Sequence, residues 1–158
     1  MPNTPINTEN HSVAFQNRIL VFIHDLGMNQ KEFAEYLGVS QPVVSHIIKY
    51  GIIPSVRVLI RMADKLAIPL NYLLGKVDNK TFYPSANPST FHQRLRLLKD
   101  EKHLKYGQIA QKMTFPKDYF YEWQRLKTFP SLEYLEEIAK YFNVSLDYLV
   151  GRSDDKQN

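Results

Sequence analysis

One shift lays the chain on itself. Moved by 76 places, residues 15–78 fall on 91–154 without a gap, and 12 of the 64 pairs are identical. Phe15 meets Phe91, Arg18 meets Arg94, Ala34 meets Ala110, Pro54-Ser55 meets Pro130-Ser131, and Ala63 meets Ala139. IPLNYLLGKVD (68–78) meets VSLDYLVGRSD (144–154). Apolar mismatches are conservative, as in Ile19 with Leu95 and Ile68 with Val144. A register held this long is the mark of a repeated unit. The chain is therefore expected to build one small fold twice, at 15–78 and 91–154.

Between the units runs KVDNKTFYPSANPS (76–89), whose Pro, Asn and Ser content predicts a linker over 79–90. A flexible segment of this length spans roughly 20 Å. Residues 1–14 are expected to be a flexible N-terminal tail. Each unit reads as five short helices. In the first, Ser12 is the expected cap of helix 1, with Ile19, Phe22 and Leu26 on one face. Helix 2 follows Asn29 and helix 3 follows Ser40. Ser55 opens helix 4, and LNYLL, closed by Gly75, is helix 5. Nothing alternates with period two over a strand length, so the expected fold class is all-α.

The stretch NQKEFAEYLGVSQPVVSHIIK (29–49) breaks one amphipathic helix and restarts it at once. Phe33, Ala34 and Leu37 make the inner face of helix 2. Gly38 can take a positive φ without steric cost and so turns the chain sharply. Val39 plugs the turn and Ser40 is placed to cap helix 3, whose inner face is Val44 and Ile47. Small Ala34 lets the two helices approach where they cross. This is a helix-turn-helix that leaves the outer face of helix 3 exposed.

The pattern resembles the phage-repressor and Cro-like helix-turn-helix family, the XRE-type regulators. The residues that carry the resemblance are Arg18, Asn29-Gln30, Phe33-Ala34, Leu37-Gly38-Val39-Ser40, Val44-Ser45, Ile47, Pro54-Ser55, Leu59, Ala63, Leu66 and Leu70 to Leu73. It covers all of the first unit and, more weakly, the second. The resemblance implies two tandem five-helix domains of the lambda-repressor type. It also implies that the first binds duplex DNA with helix 3 in the major groove. On that pattern Gln30 braces the reader and contacts phosphate, and Gln41 is the main reader. Glutamine can pair bidentately with adenine, worth about 1–3 kcal/mol of discrimination. Ser40, Pro42, Ser45 and His46 share the groove-facing surface, and Asn29 and Lys49 are placed for phosphate. Arg18 is expected to be a structural ion-pair partner. Relatives commonly carry Glu-Asn-Gly after helix 3. Here Ile48, Lys49 and Tyr50 stand there, and glycine arrives one place later as Gly51.

The second unit keeps the frame and loses the reader. Asn29 is replaced by Lys105, Gln30 by Tyr106, Gly38 by Thr114 and Ser40 by Pro116. The outer face becomes Lys117, Asp118, Tyr121 and Glu122, and the carboxylates would meet phosphate repulsion. Phe120 and Trp123 align with core positions, whereas Tyr119 and Tyr121 are extra. With Lys117 and Arg125 they form a second surface, for a protein partner, dimerisation or further DNA. Arg94, Arg96, Lys99, Lys102 and Lys105 read as a solvated basic run. Net charge does not choose between the halves, because both are +2. Leu20, Val21, Ile23, Val58 and Ile60 exceed what one small core needs and point to an apolar contact patch.

Composition closes other routes. The chain has no cysteine, so disulfides and thiolate metal sites are excluded. Its five histidines lack metal-ligand spacing, and no nucleophile elbow or glycine-rich phosphate loop occurs, so no enzyme, metal or cofactor is expected. No apolar run reaches the ~18 residues of a membrane span, and the N-terminus has no signal-peptide pattern, so a cytoplasmic protein is expected. The overall expectation is a sequence-specific DNA-binding transcriptional regulator, a repressor acting as a homodimer on half-sites about 34 Å apart. The alternatives are an accessory DNA-binding protein of a plasmid, phage or conjugative element, and an adaptor that has left DNA for a protein partner.

Overall fold

The computed structural model describes residues 10–157, which are all-helical apart from turns and one isolated bridge. They divide into two compact units that meet in sequence at Thr81 and Phe82. Unit 1 contains α1 (Val13–Leu26), α2 (Gln30–Leu37), α3 (Gln41–Tyr50), α4 (Val56–Leu66) and α5 (Leu70–Leu73). Unit 2 contains α6 (Phe91–Glu101), α7 (Tyr106–Ala110), α8 (Asp118–Leu126), α9 (Leu132–Phe142) and α10 (Leu146–Leu149).

Local chemistry sets the ends of the unit 1 helices. Ser12 Oγ accepts from the Phe15 N–H and opens α1. Asn29 and Glu32 form a reciprocal capping box at α2. Ser55 caps α4 through the Val58 N–H. The inner faces then close one core of Phe15, Ile19, Phe33, Leu37, Val44, Ile47, Leu59, Met62 and Leu73, all essentially inaccessible. Each such side chain contributes about 1.5–3 kcal/mol by leaving water. Leu26, expected on the inner face, is instead exposed, because α1 ends there and Gly27 turns the chain away. Leu20 and Val21 are also exposed, and Ile23, Val58 and Ile60 are half-buried, so none of the five widens the core.

Unit 2 follows the same order 76 residues on. α9 and α10 begin and end at the shifted positions of α4 and α5. Left-handed residues recur in register as well: Gly27 with His103, Gly51 with Lys127, Ala67 with Asn143, and Gly75 with Gly151. The one break is at the helix-helix turn, where Gly38 is left-handed and Thr114 is not. There α7 stops after five residues. The core of unit 2 is correspondingly bulkier, with Phe115, Phe120 and Trp123 buried where unit 1 has Val39, Val44 and Ile47.

Four expectations are revised. The tail expected over 1–14 is ordered from Asn10, where the Ile53 N–H donates to the Asn10 carbonyl and the Ser12 N–H to that of Gly51. Residues 1–9 lie outside the described residues. The stretch expected as a linker over 79–90 is partly built into unit 2. Arg152 lies over the Phe82 ring, and buried Ser85 donates to Asp154. Among the described residues Arg18 has no ion-pair partner. Its guanidinium stacks 3.9 Å from the Tyr72 ring centre and donates to the Val77 carbonyl. Arg94 repeats both contacts, over Tyr148 and to the Ser153 carbonyl, and adds Asp154 and Ser89. It is therefore buried and not part of a solvated basic run. A second ion pair, Asp147 with Arg152, is buried beside it.

Candidate nucleic-acid interface

The outer face of α3 is built by subtraction. Val44 and Ile47 are fully buried and fix the rotation of the helix. At about 100° per residue, Gln41, Ser45, Lys49, Pro42 and His46 then share the opposite arc. Gln41, Pro42, His46 and Lys49 are exposed and Ser45 is half-buried. The sequence-predicted reading residues are thus brought to one face, ten residues and about 15 Å long.

Behind it, the turn from α2 to α3 is held from two sides. Gly38 has φ 71°, and the Val39 N–H returns to the Ala34 carbonyl. Arg61, one turn into α4, donates to the Gly38 carbonyl at 3.0 Å. Ser40 occupies the cap position of α3, but its hydroxyl makes no capping bond. Ser40 is exposed at the start of the outer α3 face with its hydroxyl outside any cap.

The far end of α3 is also fastened. Gly51 takes φ 66°, and a Cβ there would lie 2.7 Å from the Ser12 carbonyl oxygen. Gln16 donates to the Ile48 carbonyl at 2.7 Å, and His11 Nδ1 lies 2.7 Å from the Tyr50 carbonyl. The glycine one place late is therefore the C-terminal stop of α3. Arg61, Gln16 and His11 escaped sequence reasoning, because their partners are backbone carbonyls 23 to 39 residues away. No local spacing encodes such contacts.

Asn29 and Gln30 sit at the start of α2, Asn29 exposed and Gln30 half-buried. The Asn29 side-chain oxygen is committed to the capping box. Among the described residues, Gln30 and Gln41 make no hydrogen bond to one another.

In unit 2 the corresponding surface is chemically different. Lys117, Asp118, Tyr121, Glu122 and Arg125 are exposed on α8. Tyr119, one of the two extra tyrosines, is exposed and also belongs to an aromatic cluster. It lies 6.0 Å from each of Phe115, Trp123 and Tyr134. Tyr121 keeps 53% of its surface and rests edge-on against Tyr106, which stacks on Phe120. Burial pushes the Tyr106 hydroxyl above its ordinary range, with Lys99 opposing. No group of three His, Asp or Glu among the described residues is placed to hold a metal ion. No described helix is long and apolar enough to cross a membrane.

Comparison with known families meets this geometry at the same place. A model of the helix-turn-helix family matches residues 25–73, from the end of α1 through α5. Residues 25–73 of unit 1 are thus similar to the helix-turn-helix family. No curated protein and no solved structure matches the chain.

Proposed function

We propose that unit 1 is a sequence-specific reader of duplex DNA and that the chain is a transcriptional repressor. The observation that carries the reading is the α3 face. Gln41, Pro42, His46 and Lys49 stand exposed, while the turn and the C-terminal stop hold the helix from behind. Pre-ordering of this kind reduces the entropy lost on docking. The family match over 25–73 supports the same reading, because DNA binding is the activity known for that family. Gln41, at the first position of α3, is the base reader, and Ser45 and His46 extend its footprint. Gln30, Ser40, Asn29 and Lys49 contact phosphate and set register. Repression is by occlusion: a bound protein excludes polymerase from the same DNA.

Unit 2 is a diverged second copy of the fold that has left DNA. Its register of left-handed residues and its Arg94–Tyr148 stack support common descent with unit 1. Asp118 and Glu122 on the α8 face support the loss of reading, since carboxylates repel phosphate. One short reading helix gives modest affinity, so the active form is a homodimer on half-sites about 34 Å apart.

Selection of bound sites from random duplex DNA tests the reading. A motif should emerge, and Gln41→Ala should relax it at one base position at a cost of about 1–3 kcal/mol. Binding with no motif, lost uniformly as salt rises, would reduce unit 1 to a backbone binder and refute it.

A further inference from the structure

The α8 face carries Asp118, Tyr121, Glu122 and Arg125 at spacings of three, four and seven, a stripe suited to packing against another helix. All four are exposed. Asp118, Glu122 and Arg125 have no ion-pair partner among the described residues. Tyr121 is held against Tyr106, so it presents a large ring at little conformational cost. Leu126, beside the stripe, is 52% exposed.

Charge order along the stripe selects the occupant. Asp118 stands at the N-terminal end and Arg125 two turns later, about 10 Å along the axis. A second α8 laid parallel would set Asp118 on Asp118 and Arg125 on Arg125. Laid antiparallel about a two-fold axis, each Asp118 meets the other copy's Arg125, and Tyr121 meets Glu122 across the centre. Antiparallel placement also opposes the helix dipoles favourably. Such an interface is self-complementary, as a two-fold dimer requires.

We infer that the outer face of α8 is the dimerisation surface of this protein, its partner an antiparallel α8 of a second copy joined by two reciprocal Asp118–Arg125 pairs. The inference rests on the proposal that unit 2 has left DNA, and it names what replaced it. The contact is small, so the free dimer is weak and concentration-dependent.

The test is sedimentation of the full chain without DNA, over a range of concentrations. Wild type should associate to dimers. Asp118→Arg alone and Arg125→Asp alone should each weaken association about tenfold or more, because each sets like charges together. An equimolar mixture of the two variants should restore the dimer as a heterodimer, and so should both changes in one chain. Both positions are exposed, so far-ultraviolet circular dichroism should stay unchanged. Wild type that stays monomeric, or single variants that dimerise like wild type, overturns the surface. Variants that fail to rescue one another overturn the antiparallel pairing. Because DNA is absent, failure here leaves the reading of unit 1 standing, and failed site selection leaves the dimer standing.

Discussion

Arg61 donates to the Gly38 carbonyl in unit 1, and 76 residues on Glu137 accepts from Thr114 in unit 2. The same position of the fourth helix fastens the same turn with opposite charge. The inversion follows from the backbone. Left-handed Gly38 presents its carbonyl to α4. Thr114, without that turn, presents its N–H at 2.8 Å and its hydroxyl at 2.5 Å to the carboxylate. Glu137→Ala leaves both donors to water and should cost unit 2 about 1 kcal/mol. Arg61→Ala loses one exposed bond and should cost unit 1 less, about 0.5 kcal/mol. Trp123 is the one tryptophan, so urea unfolding followed by its fluorescence reports the first value directly. A Glu137→Ala midpoint equal to wild type would show the clamp to be idle.

This clamp also marks what the sequence could and could not disclose. The fourth helix of each unit was legible because apolar spacing and a serine cap coincide at Ser55 and Ser131. The rotation of α3 was legible because Val44 and Ile47 leave one outward face. Ser40 was read as the cap of α3 and does occupy the cap position, but its hydroxyl makes no capping bond there. Arg18 was misread as an ion-pair partner because its partners are a ring and a carbonyl 54 and 59 residues away. Long-range bonds to backbone leave no spacing in the sequence.

The left-handed positions separate two kinds of strain. Gly151 has φ 81°, and a Cβ there would collide with the Ser89 carbonyl. Its neighbour is backbone and cannot yield, so Gly151→Ala should destabilise unit 2 by about 3 kcal/mol or more. Lys127 has φ 55° at the end of α8, where the conformation suits glycine. Lys127→Gly should therefore stabilise unit 2, by about 0.5–1 kcal/mol. Opposite shifts of the Trp123 transition are the expected result. Shifts of the same sign would contradict this account of the two turns.

Acid should loosen unit 2 in two steps. Burial, and then the charge of Lys127, hold the His92 imidazole below its ordinary 6.5. The unfolded chain therefore binds a proton that the fold resists, and stability falls as pH drops below 6.5. Hydrogen bonds from Ser85 and then Arg94 hold the Asp154 carboxyl below its ordinary 3.8. That contribution is complete above 3.8 and is lost as pH falls through the lower folded value. His92→Gln should flatten the dependence between pH 5 and 7, whereas Asp154→Asn should flatten only the acid limb below about pH 4. Thermal unfolding across pH distinguishes them. Variants that keep the wild-type slopes would assign the acid response to other groups.

Lys49 and Gln41 share the α3 face, and on the proposed reading they do different work. Lys49, in the last turn, is exposed and its ammonium is free to meet a phosphate. Neutralising one phosphate releases condensed counterions, so Lys49→Ala should lower the slope of log affinity against log salt by about 1. It should weaken all sequences alike. Gln41 carries no charge, so Gln41→Ala should leave that slope in place and relax one base position. Titration of the selected site and of a scrambled duplex at several salt concentrations separates the two effects. If Lys49→Ala changed the preferred sequence while Gln41→Ala did not, the roles would be reversed. The reading end of α3 would then be its C-terminal turn, where Gln16 and His11 fasten it to α1 and the segment before it.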